Sequence, residues 1–353
     1  MNQRENLLSL LRREGFEYIP SEFLLCPHLV DVYRQKTGQD KPYAEYFEMP
    51  WRNIPDIEMP DNTKDFLPWY GRLKEGTYID VWGVAHEPGS ASAMHMTRMV
   101  HPLKGIEDFE KIKEFPFPDF GKGVNTGQKP AAGSIHRNGL AAVGMMQVTI
   151  WETAWYIRGM EDLMMDMMGD EPAASFILDK ITAEAVIRAR SFVSAGADII
   201  YLGDDIGMQH SVMMNLDLYR KWLKPRLKTV IDAAKKLNPD IIIMYHTCGY
   251  VTSFIEDLIE AGVDVLNPIQ PESMDYHEII SKYKSRLSFH GCIGTQTVMP
   301  FGSPAEVKAA VKDCLDTAGS AGGLLAAPTH VLEPEVPWEN IIAYVEACRE
   351  YQP

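Results

Sequence analysis

The sequence predicts an α/β protein built as a (β/α)8 TIM barrel, and three observations carry that expectation. From position 140 onward, short apolar runs alternate with helical stretches. The runs are unbroken rather than alternating polar and apolar, the pattern of parallel strands buried on both faces. The segments AGAD (195–198) and AGVD (261–264) form a weak repeat. Each ends a helix at glycine, where the exit needs positive φ, and opens a strand.

The six runs are LAAVGMM (140–146), DIIYLGD (198–204), IIIMYH (241–246), DVLNPI (264–269), LSFHGCI (287–293) and GGLLAAP (322–328). With strands expected at 19–25 and 78–84, the count reaches about eight, which closes a barrel. Helices are expected over 172–194, 217–236, 251–260 and 304–317. The last has an explicit start: Ser303 caps, Pro304 takes the first helical position and Glu306 completes a capping box. Residues 1–75 read as an ordered arm, with Leu7, Leu8, Leu10 and Leu11 in an amphipathic start followed by a Pro- and aromatic-rich stretch. Segments 78–84 and 96–100 are expected to pair as a hairpin, and 115–139 to form a long loop. The result is a single domain spanning 1–353. The rival, an open doubly wound sheet, lacks a glycine fingerprint for a dinucleotide.

Composition narrows the function. The chain has 353 residues, 46% of them apolar, enough for a large core. Its net charge of −15, from 49 acidic and 34 basic side chains, opposes nucleic-acid binding. No apolar run approaches the roughly 18–20 residues that span a bilayer, so no membrane association is expected. The start, MNQRENLLSLLRREG, lacks the apolar stretch of a secretory signal. Five scattered cysteines do not make a disulfide framework. The expectation is a cytoplasmic protein.

In such a barrel, function collects at the C-terminal ends of the strands. The sharpest signal there is His246-Thr247-Cys248. Residues i and i+2 of a strand end face one side, about 6–7 Å apart, so both side chains can converge on one zinc ion. A third ligand is expected from His330, with Cys292 as the alternative. Asp204 and Asp205 form a paired carboxylate after the IIYLG run, and Glu152 stands just beyond Met146. These three are the candidate acids; a helix cap for the loop after that strand is the alternative for Asp204 or Asp205. Met145 and Met146 end a strand, where flexible thioethers suit a broad apolar pocket. Trp82, Asn267, Gln270, His290 and Gln296 complete the expected substrate-binding set. The methionines of 160–168 recur at spacings of three and four and read as a core stripe. The remaining histidines, His95 among them, show no pairing pattern. Cys26, Cys314 and Cys348 read as small buried hydrophobes.

The segments MYHTCGYVTSFIEDLIEAGVDVLNPIQP, LSFHGCIGTQTVMPFGSPAEV and GGLLAAPTHVLEPEVPWENI, with DVWGV (80–84) and GADIIYLGDDIG (196–207), resemble the uroporphyrinogen decarboxylase superfamily. The resemblance covers nearly the whole chain, most strongly 140–345. It implies a (β/α)8 barrel with its active site at the C-terminal mouth, and it offers two chemistries. The decarboxylases carry an arginine-rich segment reading like MRQAGRYLPEY, whereas the corresponding SEFLLCPHLVDVYRQ has Arg34 alone. The corrinoid-dependent methyltransferases carry an H-x-C pair where His246 and Cys248 stand, and a third zinc ligand in a segment like APGC. That segment reads APTH here, which puts His330 in the cysteine's place.

The resemblance therefore implies a zinc-assisted methyltransferase. It would move a methyl group between a small thiol, methyl ether or methylamine and the cobalt of a corrinoid (cobalamin) supplied by a partner protein. A homodimer is compatible with this reading. The alternatives are a tetrapyrrole decarboxylase with Asp204 or Asp205 as the acid, and a ligand-binding barrel without turnover.

Overall fold

The computed structural model describes residues 1–89 and 97–352, and the counts below are of those residues. Ten strands form two sheets. In chain order they are β1 (Trp51–Ile54), β2 (Tyr78–Ile79), β3 (Ala85–Glu87), β4 (Arg98–Val100), β5 (Ala141–Met146), β6 (Ile199–Gly203), β7 (Ile242–His246), β8 (Val265–Asn267), β9 (Ser288–His290) and β10 (Leu324–Leu325). Seven make one parallel sheet in the order β1-β5-β6-β7-β8-β9-β10. The sheet curls on itself: Trp51 of β1 meets His290 of β9 edge to face, with ring centroids 5.4 Å apart. This is the TIM-barrel-type α/β fold the sequence predicts. Each of the six runs supplies one strand, and Gly196 and Gly262 leave their helices at φ 104° and 106°.

Five expectations fail locally. The segment 78–84 does not enter the barrel. Its β2 pairs antiparallel with β3, and β3 with β4, in a separate small sheet. The barrel strand is instead β1, lodged between Pro50 and Pro55. The segment 19–25 contributes only a parallel bridge, Leu25 to Leu332. The expected loop 115–139 contains a helix, Gln128–Arg137, which tolerates Pro130 because its first turn has no intrahelical N–H bonds to lose. The helix expected over 217–236 is two, Leu216–Trp222 and Lys224–Leu237, divided just before Pro225. The start at Ser303 has its capping box in place. The methionine stripe is narrower than its spacing suggests: Leu163 and Met167 are buried, but Met168 is 70% exposed. Met96 of the expected hairpin, and His95, lie outside the described residues.

The N-terminal helix Gln3–Arg12 closes the lower end of the barrel. The Gly323 N–H donates to Leu10 O at 2.7 Å, and Ser288 Oγ to Leu11 O at 2.7 Å. Arg4 grips Asp198, at the foot of β6, with Nη2 to Oδ1 at 2.6 Å. With the bottom sealed by Leu7, Leu10 and Leu11, all buried, the open end is the C-terminal mouth. No helix among the described residues is long and apolar enough to cross a membrane.

Candidate metal centre and its cavity

Parallel pairing decides which side chains meet. Gly203 of β6 lies in register with His246 of β7, and His246 with Asn267 of β8. Two residues further along each strand end, Asp205 and Cys248 fall side by side, and the Cys248 N–H donates to Asp205 Oδ1 at 2.7 Å. His246 Nε2 lies 3.3 Å from Cys248 Sγ and 3.7 Å from Asp205 Oδ1. One ligand atom from each of Asp205, His246 and Cys248 falls within 4.8 Å of the others. Gly249 releases the chain at φ 81°, where a Cβ would stand 2.6 Å from Met208 O, so only glycine allows the loops after β6 and β7 to touch here.

The protonation of His246 follows from its neighbours. Asn267 Nδ2 donates to the carbonyl of His290 at 2.9 Å, and a carbonyl can only accept, so the amide orientation is fixed. Asn267 Oδ1 must then accept, from Tyr201 Oη at 2.5 Å and from His246 Nδ1 at 2.6 Å. His246 thus carries its proton on Nδ1 and turns a lone pair on Nε2 toward Cys248 and Asp205. Burial also lowers the His246 pKa, which favours the neutral ring. Asn267 Nδ2 also donates to His290 Nδ1 at 2.8 Å, so His290 donates from Nε2 to Glu22 Oε2 at 2.8 Å. The donor set fits a zinc ion: imidazole nitrogen, thiol sulfur and carboxylate oxygen are its usual ligands. Burial, with the charges of Asp205 and Glu152, pushes the Cys248 thiol well up, so a bound cation would have to displace its proton.

The two expected third ligands take other places. His330 is exposed, its ring centroid 6.4 Å from that of His246, outside the close group but on the same cavity wall. Cys292 is buried, lines no part of the cavity, and has its electrostatic neighbours in Tyr276 and Cys314. It faces the outer helices because successive residues at a strand end point to opposite sides.

The adjacent acids also part company. Asp204 is buried and accepts the N–H groups of Ile150 and Glu152 at 2.9–3.1 Å, capping the helix Trp151–Arg158 from a neighbouring strand. Burial pushes its pKa up to about 7 against those N–H donors. Asp205 lines the cavity. Glu152 accepts the Asp205 N–H at 3.1 Å and meets Tyr156 Oη at 2.9 Å, and burial with the charges of Asp205 and Asp204 pushes it up to about 8.

The cavity over this group measures about 470 Å³. Met145, Asn267 and His290 line it, together with residues the sequence reading missed: Glu22, Trp51, Tyr156 and Tyr201. A side chamber of about 340 Å³ shares Met145 and Tyr156 and adds Trp82, Met146 and Arg188. An outer chamber of about 440 Å³ shares Asp205 and His330. There Gln270 accepts the Gly249 N–H at 2.5 Å, and Gln296 exchanges hydrogen bonds with Gln209.

The chain is similar to known proteins over part of its length. The chain is 28% identical over 175 residues to the methylcobamide:CoM methyltransferase MtaA of Methanosarcina barkeri, covering 49% of this chain and 48% of that protein. It is 24% identical over 202 residues to a methylated-thiol–coenzyme M methyltransferase of Methanosarcina mazei, covering 56% and 50%. It is also 26% identical over 188 residues to a uroporphyrinogen decarboxylase of Solibacter usitatus, covering 53% and 51%. The chain thus spans about half the length of the curated relatives it matches. A solved structure, a methyltransferase from Methanosarcina mazei, shares the fold with a TM-score of 0.68 at 19% identity, over 99% of both chains. The sequence model of uroporphyrinogen decarboxylase (URO-D) matches residues 98–351, and the chain belongs to that family.

Proposed function

We propose that this protein is a methyltransferase that exchanges a methyl group between a small substrate and the cobalt of a corrinoid on a separate protein. The observation that carries the reading is the convergence of His246 Nε2, Cys248 Sγ and an Asp205 carboxylate oxygen, with the His246 lone pair aimed into the group. The names of the Methanosarcina relatives agree with it. In this reading Asp205, His246 and Cys248 hold zinc, with His330 within reach of the same cavity. When bound, zinc supplies Lewis acidity that lowers the pKa of a substrate thiol or polarises a methyl-bearing heteroatom. Asn267 keeps the proton of His246 off Nε2. Glu152 and Tyr156 form one polar wall that orients the substrate. Met145, Met146 and Trp82 supply adaptable apolar area where the corrinoid would approach. The free cysteines suit a cytoplasmic setting.

The decarboxylase reading is the weaker one. A substrate bearing several carboxylates would enter a cavity walled by Glu22, Glu152 and Asp205, with no lysine or arginine among its described lining. The test is metal analysis followed by demethylation of methylcobalamin, read by absorbance, with a panel of thiols and methyl ethers. The expected outcome is about one zinc per chain and turnover with at least one acceptor; Cys248→Ser should lose most of both. Zinc-free wild-type protein, or zinc unchanged in that variant, would overturn the metal site. Coproporphyrinogen formed from uroporphyrinogen would promote the decarboxylase.

A further inference from the structure

We propose that the cavity selects its substrate by charge, and that the substrate it takes carries a small cationic head group, a quaternary or tertiary ammonium. The inference rests on the reading above only in treating this cavity as the substrate site. Three features of the walls point the same way. The first is sign: Glu22 and Asp205 are acidic, Glu152 is held largely protonated by burial and its acidic neighbours, and no lysine or arginine stands among the described lining residues. The outer chamber, through which a substrate would enter, likewise has acids and no lysine or arginine. The side chamber has one cation, Arg188, but its Nε and Nη2 are spent on Asp56 Oδ2, at 3.0 and 2.5 Å.

The second feature is the state of Glu22. Its side chain is 9% exposed, and its ion-pair contact among the described residues is with His290. His290 accepts a proton from Asn267 at Nδ1 and donates one from Nε2 to Glu22, so it is a neutral imidazole. A hydrogen bond from a neutral ring leaves the negative charge of Glu22 in place. Zinc held by Asp205, His246 and Cys248 would offset the charges of its own ligands and leave this one standing. Opposite charges a few ångströms apart in a partly desolvated site attract strongly, and like charges repel as strongly.

The third feature is the nature of the apolar walls. Phe23, Trp51, Tyr156 and Tyr201 line the same cavity. Aromatic faces attract alkylated ammonium groups, which are weakly hydrated and give up little on entry, and an acid beside such faces is a common receptor for quaternary ammonium. An anionic substrate would meet the acids with no lysine or arginine among the described lining to offset them.

The test is a set of three probes with one branched head and different charge: choline, 3,3-dimethylbutan-1-ol and 3,3-dimethylbutanoate. Binding to the purified full chain is measured by titration calorimetry, with and without added zinc. Choline should bind about tenfold tighter than the neutral alcohol, and the carboxylate about tenfold weaker than it. Glu22→Gln, which keeps an acceptor for His290, should narrow the choline-to-alcohol ratio and leave the alcohol unaffected. Trp51→Leu should weaken choline more than the alcohol. Equal affinity for the three probes, tighter binding of the carboxylate, or no binding of any probe overturns the proposal. The readout involves no methyl transfer. The predicted order of binding without methylcobalamin turnover sinks the methyltransferase reading alone; efficient methylation of an anionic thiol in preference to a cationic or neutral one sinks the charge selection alone.

Discussion

The two ends of β6 carry carboxylates six residues apart in opposite electrostatic settings. At the foot, Asp198 is held by the Arg4 guanidinium, the Ala142 N–H and His136 Nε2. Burial works to raise its pKa, but these partners outweigh it and hold the carboxyl below its usual range. At the top, Asp204 has only N–H donors, and burial wins. The base of the barrel neutralises its acids with cations and is mechanically closed. The mouth leaves its acids to amides, the Tyr156 hydroxyl, a neutral imidazole and each other. That environment costs stability and suits a site that waits for a cation.

The largest effects should appear where adjacent residues divide these roles. Asp204→Ala strips the cap from the helix Trp151–Arg158 and leaves buried N–H groups unpaired, a loss of about 3 kcal/mol in urea unfolding. Asp205→Asn keeps an acceptor for the Cys248 N–H but removes the charge. It should unfold like the wild type and lose zinc. If Asp205→Asn is the destabilised variant and Asp204→Ala the metal-deficient one, the division is reversed.

Next comes the amide that sets the tautomer. Asn267→Leu removes the acceptor at His246 Nδ1 and leaves the His290 carbonyl without its donor. Zinc affinity, read by competition with a chromogenic chelator, should fall about 10- to 100-fold, the range typical for losing the partner of a metal-bound histidine. Asn267→Asp restores an acceptor for His246 and should recover part of the loss. Unchanged affinity in Asn267→Leu would mean that the ring is oriented by packing alone.

How much of this was legible follows the same division. The repeating half announces itself because each parallel strand is an apolar run between a glycine exit and the next helix. Once β6 and β7 are neighbours, their matched ends put Asp205 beside Cys248. That alignment was available from GDD and HTC, though the sequence reading gave Asp205 an acid's role. β1 stayed hidden because Arg52 and Asn53 interrupt its apolar pattern, leaving Trp51 and Ile54 as its buried residues. The run at 78–84 has strand composition, but composition does not say which sheet a strand joins. Glu22 had no local signal at all. It reaches His290 across 268 positions of sequence, and its setting exists only after the arm has docked.

The smallest predicted effect tests the closed end. Arg4→Ala deletes the guanidinium and leaves Asp198 with the Ala142 N–H and His136. The cost at neutral pH should be about 1–2 kcal/mol, the scale of a charge-assisted hydrogen bond at a partly exposed pair. The sign with pH is fixed by the direction of the shift. A carboxyl with a depressed folded-state pKa contributes its stabilisation fully above the unfolded value and loses it as the pH falls through the folded one. The gap between wild type and Arg4→Ala should therefore be open at pH 7 and narrow at about pH 3. A gap that stays constant with pH would mean that Arg4 acts by covering the foot of the barrel with its aliphatic stem. Zinc content of the folded variant should not change, because the pair lies at the far end of β6 from His246 and Cys248.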